Sequence, residues 1–283
     1  MKRFSMTHMS ILAGASLLGA LQICAAQGLV PAPGTRALSS SFVDLTYGLG
    51  VFHSQQVGGT FADLGMVDLK LGYSQVHQKA RGILDIADRY ALASYYDDRF
   101  PLHSPDSTAI SGRMFRIGLG IRGGLAYAIG SMALYPYHQV NFSATKVSPD
   151  IPPGTAKGDA AFMERVGGAF RLGIATEAGL EFQITPLFSV HGGYEASIIY
   201  PRVVFPQWAV GYVITATGVY LSSMLATVIT ESVPPVGPML MWLLRNGVAF
   251  GAYYLMSENM HWPFPSEAPL THQSFTAGIT FSF

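Results

Sequence analysis

The chain has 283 residues, of which 49% are hydrophobic and only 12% are charged, with 17 basic and 17 acidic residues. This charged fraction is about half that of a typical soluble domain, which argues against a protein that faces water on every side. The absence of net charge and of a basic stripe argues against nucleic acid as a partner. The 31 glycines, 17 phenylalanines and 14 tyrosines instead favour a surface that faces lipid.

The first 26 residues are predicted to be a secretory signal peptide. Lys2 and Arg3 supply a positive start, residues 11–23 form an uncharged and mostly apolar stretch, and the small residues 24–26 suit cleavage before Gln27. The apolar stretch is too short to span a membrane comfortably. Cleavage would remove the only cysteine, so the exported chain would contain no disulfide.

After a flexible lead-in at residues 27–39, alternating apolar and polar residues predict one β domain over residues 40–283. Successive side chains on a strand point to opposite faces, so alternation gives one apolar and one polar face. The predicted strands lie at about 43–51, 67–74, 112–128, 131–145, 162–184, 188–195 and 275–283. Residues 77–111 lack regular alternation and are predicted to be an irregular connection that holds a short helix or extends the second strand. Residues 148–158 are predicted to be a Pro-rich loop.

The last predicted strand ends on an aromatic residue. Phe275, Ile279, Phe281 and Phe283 share one face, and small or polar residues occupy the other. Upstream, residues 179–195 form two alternating stretches around a tight Thr-Pro turn, a position that suits proline.

These two patterns resemble the small outer-membrane β-barrel proteins of Gram-negative bacteria. The resemblance covers residues 40–76, 112–200 and 271–283. It implies a transmembrane, antiparallel, up-and-down barrel located in the outer membrane after export through the periplasm. It further implies that the terminal face is the signal read by the barrel-assembly machinery, and that outer-membrane lipid and this machinery are partners. The strand number must be even, and eight is predicted, with ten as the next choice and residues 246–255 as a candidate seventh strand.

Residues 201–270 depart from the barrel pattern. Residues 203–230 carry no charge, and residues 239–257 are interrupted only by Arg245. Length and apolarity favour two membrane helices, whereas β-branched residues such as Val213 favour strands. Two alternatives therefore stay open: an apolar helical insertion at 203–245, or fully apolar strands that complete the wall.

Charged residues fall on the polar faces of the predicted strands. They are expected in the barrel interior and are Asp44, Asp68, Lys70, Arg116, Arg122, Glu181 and Glu195. In an eight-stranded barrel the interior is just wide enough for side chains, so opposite charges are expected to pair and plug the lumen. With more strands the same residues would line a narrow pore.

Two candidate sites remain from the sequence. Ser189, His191 and Glu195 share a strand face, as a catalytic set for a lipid-acting hydrolase would require, but they lie next to the turn expected at the periplasmic side. A barrel mouth for a hydrophobic ligand is predicted from Trp208, Tyr212, Tyr220, Met224 and Trp242. In the alternative interpretation these five residues face lipid. The histidines have no metal-site spacing, so no metal and no cofactor are expected.

The sequence therefore favours an outer-membrane barrel with a structural, passive-transport or hydrophobic-ligand role. A lipid-modifying barrel enzyme is one alternative, and an envelope protein anchored by helices within 203–257 is another. In the favoured interpretation, residues 203–257 would contact an apolar ligand or a membrane partner.

Overall fold

The computed structural model describes residues 38–80, 82–100 and 109–283. The predicted signal peptide and residues 27–37 of the lead-in lie outside the described residues, and residues 38–39 already belong to the first strand. Eight antiparallel strands, each paired with its neighbours in sequence, close into a barrel when the last pairs with the first. They are Leu38–His53 (β1), Asp63–Ala80 (β2), Ile83–Asp97 (β3), Ser111–Ile129 (β4), Met132–Asp150 (β5), Phe170–Thr185 (β6), Phe188–Ile199 (β7) and Leu270–Ser282 (β8). The up-and-down barrel and the count of eight are confirmed.

The two rims of the barrel differ. Connections of two residues join β2 to β3, β4 to β5 and β6 to β7 at one rim, where β1 begins and β8 ends; we call this the short-turn rim. The other four connections are residues 54–62, 98–110, 151–169 and 200–269, and they define the long-loop rim. Short turns in outer-membrane barrels are periplasmic, so the long-loop rim faces outward.

Within the described residues, the long connections contain three helices. Lys157–Val166 (α1) lies between β5 and β6, and Phe205–Ser232 (α2) and Gly237–Glu258 (α3) lie between β7 and β8, joined by the 3₁₀ turn Pro234–Val236. Most of residues 203–245 is thus helical, and the second helix continues to Glu258, so the strand predicted at 246–255 is wrong. A helix satisfies its own backbone hydrogen bonds, which a strand outside the closed ladder cannot do in lipid.

The irregular connection predicted at 77–111 is wrong for residues 83–97, whereas the predicted extension of the second strand is found as far as Ala80. β2 continues to Ala80, and β3 is a full strand of the wall. Alternation was hidden there because β3 carries apolar side chains on its buried face, such as Tyr90 and Leu92, opposite exposed Ala91 and Ala93 on its outer face. A face of alanines beside a face of large apolar residues gives little contrast in hydrophobicity.

The long strand predicted at 162–184 is shorter in the structure. β6 begins at Phe170, and residues 157–166 form α1, which takes up part of the loop predicted at 148–158. Phe162, Met163 and Val166 are buried at a spacing that places them on one helical face, and the Gly167-Gly168 pair ends the helix.

The outer surface of the barrel is apolar. Exposed apolar side chains on the outward faces of the strands include Leu45, Tyr47, Leu69, Leu71, Phe115, Ile117, Leu119, Leu180 and Phe182. The inward faces carry charged and hydroxyl side chains that are almost fully buried. This distribution is the reverse of a soluble protein's and matches a barrel that spans lipid.

Candidate functional site

The structure places the seven charged residues expected inside the barrel in its interior. Asp44, Asp68, Lys70, Arg116, Arg122 and Glu195 are at most 3% exposed, and the Glu181 side chain is 12% exposed. They come from five strands, and each points inward because it keeps the parity of its strand's buried face. The resulting network fills the lumen between the two rims.

Arg122 organises the half of the network nearer the short-turn rim. Its Nε donates to Asp88 Oδ2 at 2.7 Å, and its Nη1 lies 3.2 Å from both Asp44 Oδ2 and Glu181 Oε2. One guanidinium from β4 therefore connects strands β1, β3 and β6 across the barrel. A buried charge is tolerated when its donors are matched in this way.

Lys70 extends the network along the axis. Its Nζ lies 3.8 Å from Asp44 Oδ1 and 3.5 Å from Asp68 Oδ2. Asp44 also accepts hydrogen bonds from Thr46 at 2.8 Å and Thr280 at 3.0 Å. The carboxylate of Asp44 thus joins the Arg122 and Lys70 groups.

The third group contains a bidentate pair. Arg116 Nη1 donates to Glu195 Oε1 at 2.7 Å, and Nη2 donates to Oε2 at 3.2 Å. The Arg116 Nε donates to Ser94 Oγ at 3.1 Å, and Ser94 donates to Asp68 Oδ1 at 2.8 Å. The guanidinium also lies 5.4 Å from the centre of the Tyr96 ring. Parallel N–H···O bonds of this kind add geometric specificity as well as energy.

Sequence reasoning missed two members of the interior network. Asp88 on β3 was missed because that strand was not predicted. Glu177 accepts hydrogen bonds from Tyr137 Oη at 2.7 Å, Gln139 Nε2 at 2.6 Å and Thr276 Oγ1 at 3.0 Å. Its even separation from Glu181 on the same strand is a parity signal that would have placed it inside.

The three candidate catalytic residues have separate partners. Ser189 Oγ donates to Glu181 Oε1 at 2.6 Å, and Glu195 is held by Arg116. The His191 Nε2 lies 3.1 Å from Thr46 Oγ1. The shared strand face is present, but these contacts tie the serine, the histidine and the acid to different parts of the lumen network.

Apolar side chains close the lumen at the long-loop rim and fill space beside the ionic network in the other half of the barrel. At the long-loop rim, α1 places Phe162 and Met163 in the barrel mouth, and Asp159 Oδ2 accepts a hydrogen bond from the backbone N–H of Gly59 at 2.9 Å. The cluster there contains Phe52, Leu64, Met66, Tyr96, Ile110, Met114, Val147, Phe162, Met163, Val166, Ile199 and Leu270. Towards the short-turn rim, the inward-facing apolar residues are Phe42, Leu84, Ile86, Tyr90, Leu92, Ala126, Tyr135 and Tyr137. The ionic network is thus capped by an apolar layer at the long-loop rim and interleaved with apolar side chains towards the short-turn rim.

The helical hairpin formed by α2 and α3 lies on the outside of the barrel, so the barrel mouth predicted from its aromatic residues is wrong. Trp208 stacks on Tyr212 at 5.7 Å, and both contact Phe142 on the outer face of β5. Trp242 Nε1 donates to the carbonyl of Gly179 at 3.1 Å. Tyr220 and Met224 are about half exposed. The spacing of residues in the sequence does not show whether a connection lies inside or outside the barrel. In the structure α1, and not the hairpin, occupies the barrel mouth.

Polar contacts fix the hairpin to the wall. The Tyr127 hydroxyl donates to the carbonyl of Pro235 at 2.7 Å near the short-turn rim. His138 Nδ1 lies 2.9 Å from Asn246 Oδ1 in the middle, and Gln273 Nε2 donates to Tyr253 Oη at 2.9 Å further outward. α3 therefore crosses the outer wall obliquely from β4 to β8. Among the described residues, α2 is the one helix that is long enough and apolar enough to cross a membrane, and its mean hydropathy is 1.6.

The residues of the terminal face lie on the outward side of β8. Phe275 and Phe283 are 73% and 71% exposed, and the Phe281 ring lies 5.3 Å from that of Phe188. Ile279 lies between them on the same side. Within the described part of the chain, no group of three or more His, Cys, Asp or Glu residues is arranged to hold a metal ion.

A closed barrel with an apolar outside and a charged, filled inside is a transmembrane β-barrel of the Gram-negative outer-membrane type. The chain is therefore an eight-stranded outer-membrane barrel, and the outer membrane is its location.

Comparison with known proteins gives distant structural similarity only. No family model and no curated protein sequence matches the chain. The crystal structure of Neisserial surface protein A (NspA) is similar, with 12% identity, 87% of this chain and 99% of that chain covered, and a TM-score of 0.41. Two crystal structures of Ail, the attachment invasion locus protein of Yersinia pestis, are also similar, with the same coverages. The complex with the heparin analogue sucrose octasulfate has 12% identity and a TM-score of 0.34. The structure of Ail alone has 10% identity and a TM-score of 0.31. The class assigned above rests on the barrel's own geometry.

Proposed function

We propose that the protein is a non-conducting structural barrel that holds its helical hairpin in the outer membrane. The closed lumen is the observation that carries this proposal. Paired charges occupy the middle of the barrel, an apolar cluster caps the long-loop end, and further apolar side chains fill the space around the charges towards the other end. An ion would have to break buried pairs such as Arg116–Glu195 to pass, which is costly. The passive-transport role is therefore less well supported than the structural one.

Conductance in planar lipid bilayers tests this proposal. The wild-type protein should insert without opening channels. A variant that lacks residues 157–166 and carries Arg116→Ala and Glu195→Ala should show steps of current, because the cap and the central pair are gone. That variant also shows that the assay can detect conduction. Steady channels in the wild type would instead support passive transport.

The hairpin supports the structural role in a second way. Its outward side chains, such as Val213, Leu221 and Leu225, are 48–57% exposed and apolar, which suits contact with outer-membrane lipid. We infer that lipid is the partner of residues 203–257, and that the barrel-assembly machinery is a partner during insertion through the terminal face. Neither role requires a cofactor or a catalytic residue.

A further inference from the structure

Arg245 is the one charged residue in the membrane-facing part of α3. Residues 239–257 contain no other charge, and residues 203–230 of α2 contain none. Its Nε donates to Ser223 Oγ on α2 at 2.6 Å. Among the residues that the structure describes, no carboxylate pairs with it within 4.0 Å. A guanidinium has five N–H donors, and a charge near the bilayer needs a partner.

The guanidinium lies over a notch in the outer wall. Arg245 Nη1 is 3.6 Å from the position that a Cβ at Gly123 would take. Gly123 on β4 pairs with Ala87 on β3, so two small residues meet at the edge of the hairpin. Arg89 lies two residues beyond Ala87 on the same outward face, where its Nη1 contacts Gln75 Oε1 at 3.3 Å. Two guanidinium groups therefore flank this notch.

A third cation lies nearer the short-turn rim. Lys79, Arg245 and His77 are all within electrostatic range of Asp85 on the outer face of β3. Together with Arg89, three permanent cations and one carboxylate lie on this part of the outer wall. Gly123 is six residues from the end of β4, or roughly 15 Å above the short-turn rim for a tilted strand. In a barrel of this height, that level is close to the boundary between hydrocarbon and headgroups of the periplasmic leaflet.

An apolar lane runs from the notch towards the middle of the membrane. Ala91 and Ala93 on β3 are exposed and point outward. The register places Leu71 and Leu119 on either side of Ala91. It places Leu69 and Ile117 on either side of Ala93. These four larger side chains are 40–51% exposed. The small residues thus form the floor of a lane whose walls are branched side chains. We call this surface the β3 lane; it has the width of one strand, about 5 Å.

We propose that the β3 lane and the cations at its end bind one glycerophospholipid of the periplasmic leaflet. The phosphate accepts hydrogen bonds from Arg89 and Arg245, with Lys79 nearby, and one acyl chain lies along Ala91 and Ala93. Charge-assisted hydrogen bonds from arginine suit a phosphate, and the excess positive charge favours an anionic headgroup such as phosphatidylglycerol. This inference is independent of whether the barrel conducts.

Native mass spectrometry of the detergent-solubilised full chain, titrated with phosphatidylglycerol, tests the proposal. The wild type should show one saturable lipid adduct. Arg89→Gln with Arg245→Gln should weaken it about tenfold or more, as loss of charged hydrogen bonds implies. Ala91→Phe should also weaken it, because a ring would fill the lane without changing charge or lipid exposure. Arg113→Gln, an outward arginine at the opposite rim, should leave it unchanged.

The competing sources of phosphate are separated in the same experiment. Millimolar inorganic phosphate should not displace the lipid, and lipid A should compete poorly, since its several acyl chains do not fit a lane that is one strand wide. Displacement by inorganic phosphate would show a free-anion site and overturn the proposal. Equal binding by lipid A, or equal weakening by the Arg113→Gln control, would overturn it as well. Each variant is first checked for a heat-modifiable band on a gel, and Ala91→Phe alone decides if the double variant does not fold.

Discussion

The Arg116–Glu195 pair offers a quantitative check on the closed lumen. Both side chains are 2% exposed, and the two hydrogen bonds between them are 2.7 and 3.2 Å long. We consider three variants: Arg116→Met, Glu195→Gln, and the two combined. Each single change removes one partner and leaves the other as an uncompensated buried group, whereas the combined change removes both charges.

The expected magnitudes follow from burial. Removing one partner of a buried pair costs about 3–5 kcal/mol, while replacing both with neutral groups of similar volume is often close to neutral. Arg116→Met should therefore lower the free energy of unfolding by about 3 kcal/mol or more. The combined variant should lie within about 1–2 kcal/mol of the wild type, so with about 3 kcal/mol for each single change the coupling energy should be about 4–5 kcal/mol. The combined variant also loses the hydrogen bond from Arg116 Nε to Ser94 Oγ, so its free energy of unfolding should stay below that of the wild type.

Guanidinium-induced unfolding from lipid vesicles, followed by tryptophan fluorescence and by heat-modifiable mobility, measures these values. The matched control is the exposed pair Arg165–Glu267, whose side chains are 49% and 20% exposed and whose atoms are 3.0 Å apart. Its coupling should be below about 1 kcal/mol. If the Arg116–Glu195 coupling were equally small, water would be screening the lumen. The reasoning that the barrel is sealed would then be refuted.

Three further changes test other parts of the structure. Asn246→Leu leaves His138 unpaired between the hairpin and the wall and should destabilise the protein by about 1–2 kcal/mol, measured by the same unfolding titration. Deleting Phe283 should lower the amount assembled in the outer membrane while export continues, as quantified in membrane fractions; undiminished assembly would contradict the role of the terminal face. Burial lowers the pKa of His261, whose neutral Nε2 accepts from the Val204 N–H at 3.0 Å. Stability should therefore fall as the pH drops below the usual histidine range, and His261→Gln should reduce that dependence.

The alternation of side chains along the strands allowed most of the correct predictions about the barrel interior. Because side chains alternate, Asp44, Asp68 and Lys70 had to share the side opposite their apolar neighbours, and the closed barrel makes that side the interior. Which charges pair across the lumen was not predictable. Arg122 reaches β1, β3 and β6, and such contacts depend on the register of strands far apart in sequence.

The hairpin was less predictable for a different reason. Its apolar composition suits a helix in lipid, a strand of the barrel wall and a segment that covers the barrel mouth equally well. Only tertiary packing distinguishes these three arrangements. One local signal existed: His138 interrupts the outward face of β5, where a lipid-facing barrel should be apolar. A polar residue at such a position requires a partner, and Asn246 on α3 supplies it.

This pairing makes the hairpin and the barrel interdependent. Without α3, His138 and the hydroxyl of Thr176 on the outer face of β6 would face hydrocarbon, a costly exposure for polar groups. Without the wall, Asn246 in the middle of α3 would face the same cost. The sector from β4 to β7 is therefore covered in part by the hairpin, which also reaches β8 at Gln273, and the outward faces of β1, β2 and β3 remain open to lipid. The β3 lane lies where these two sectors meet, which explains why a charge of the hairpin and small residues of the wall come together there.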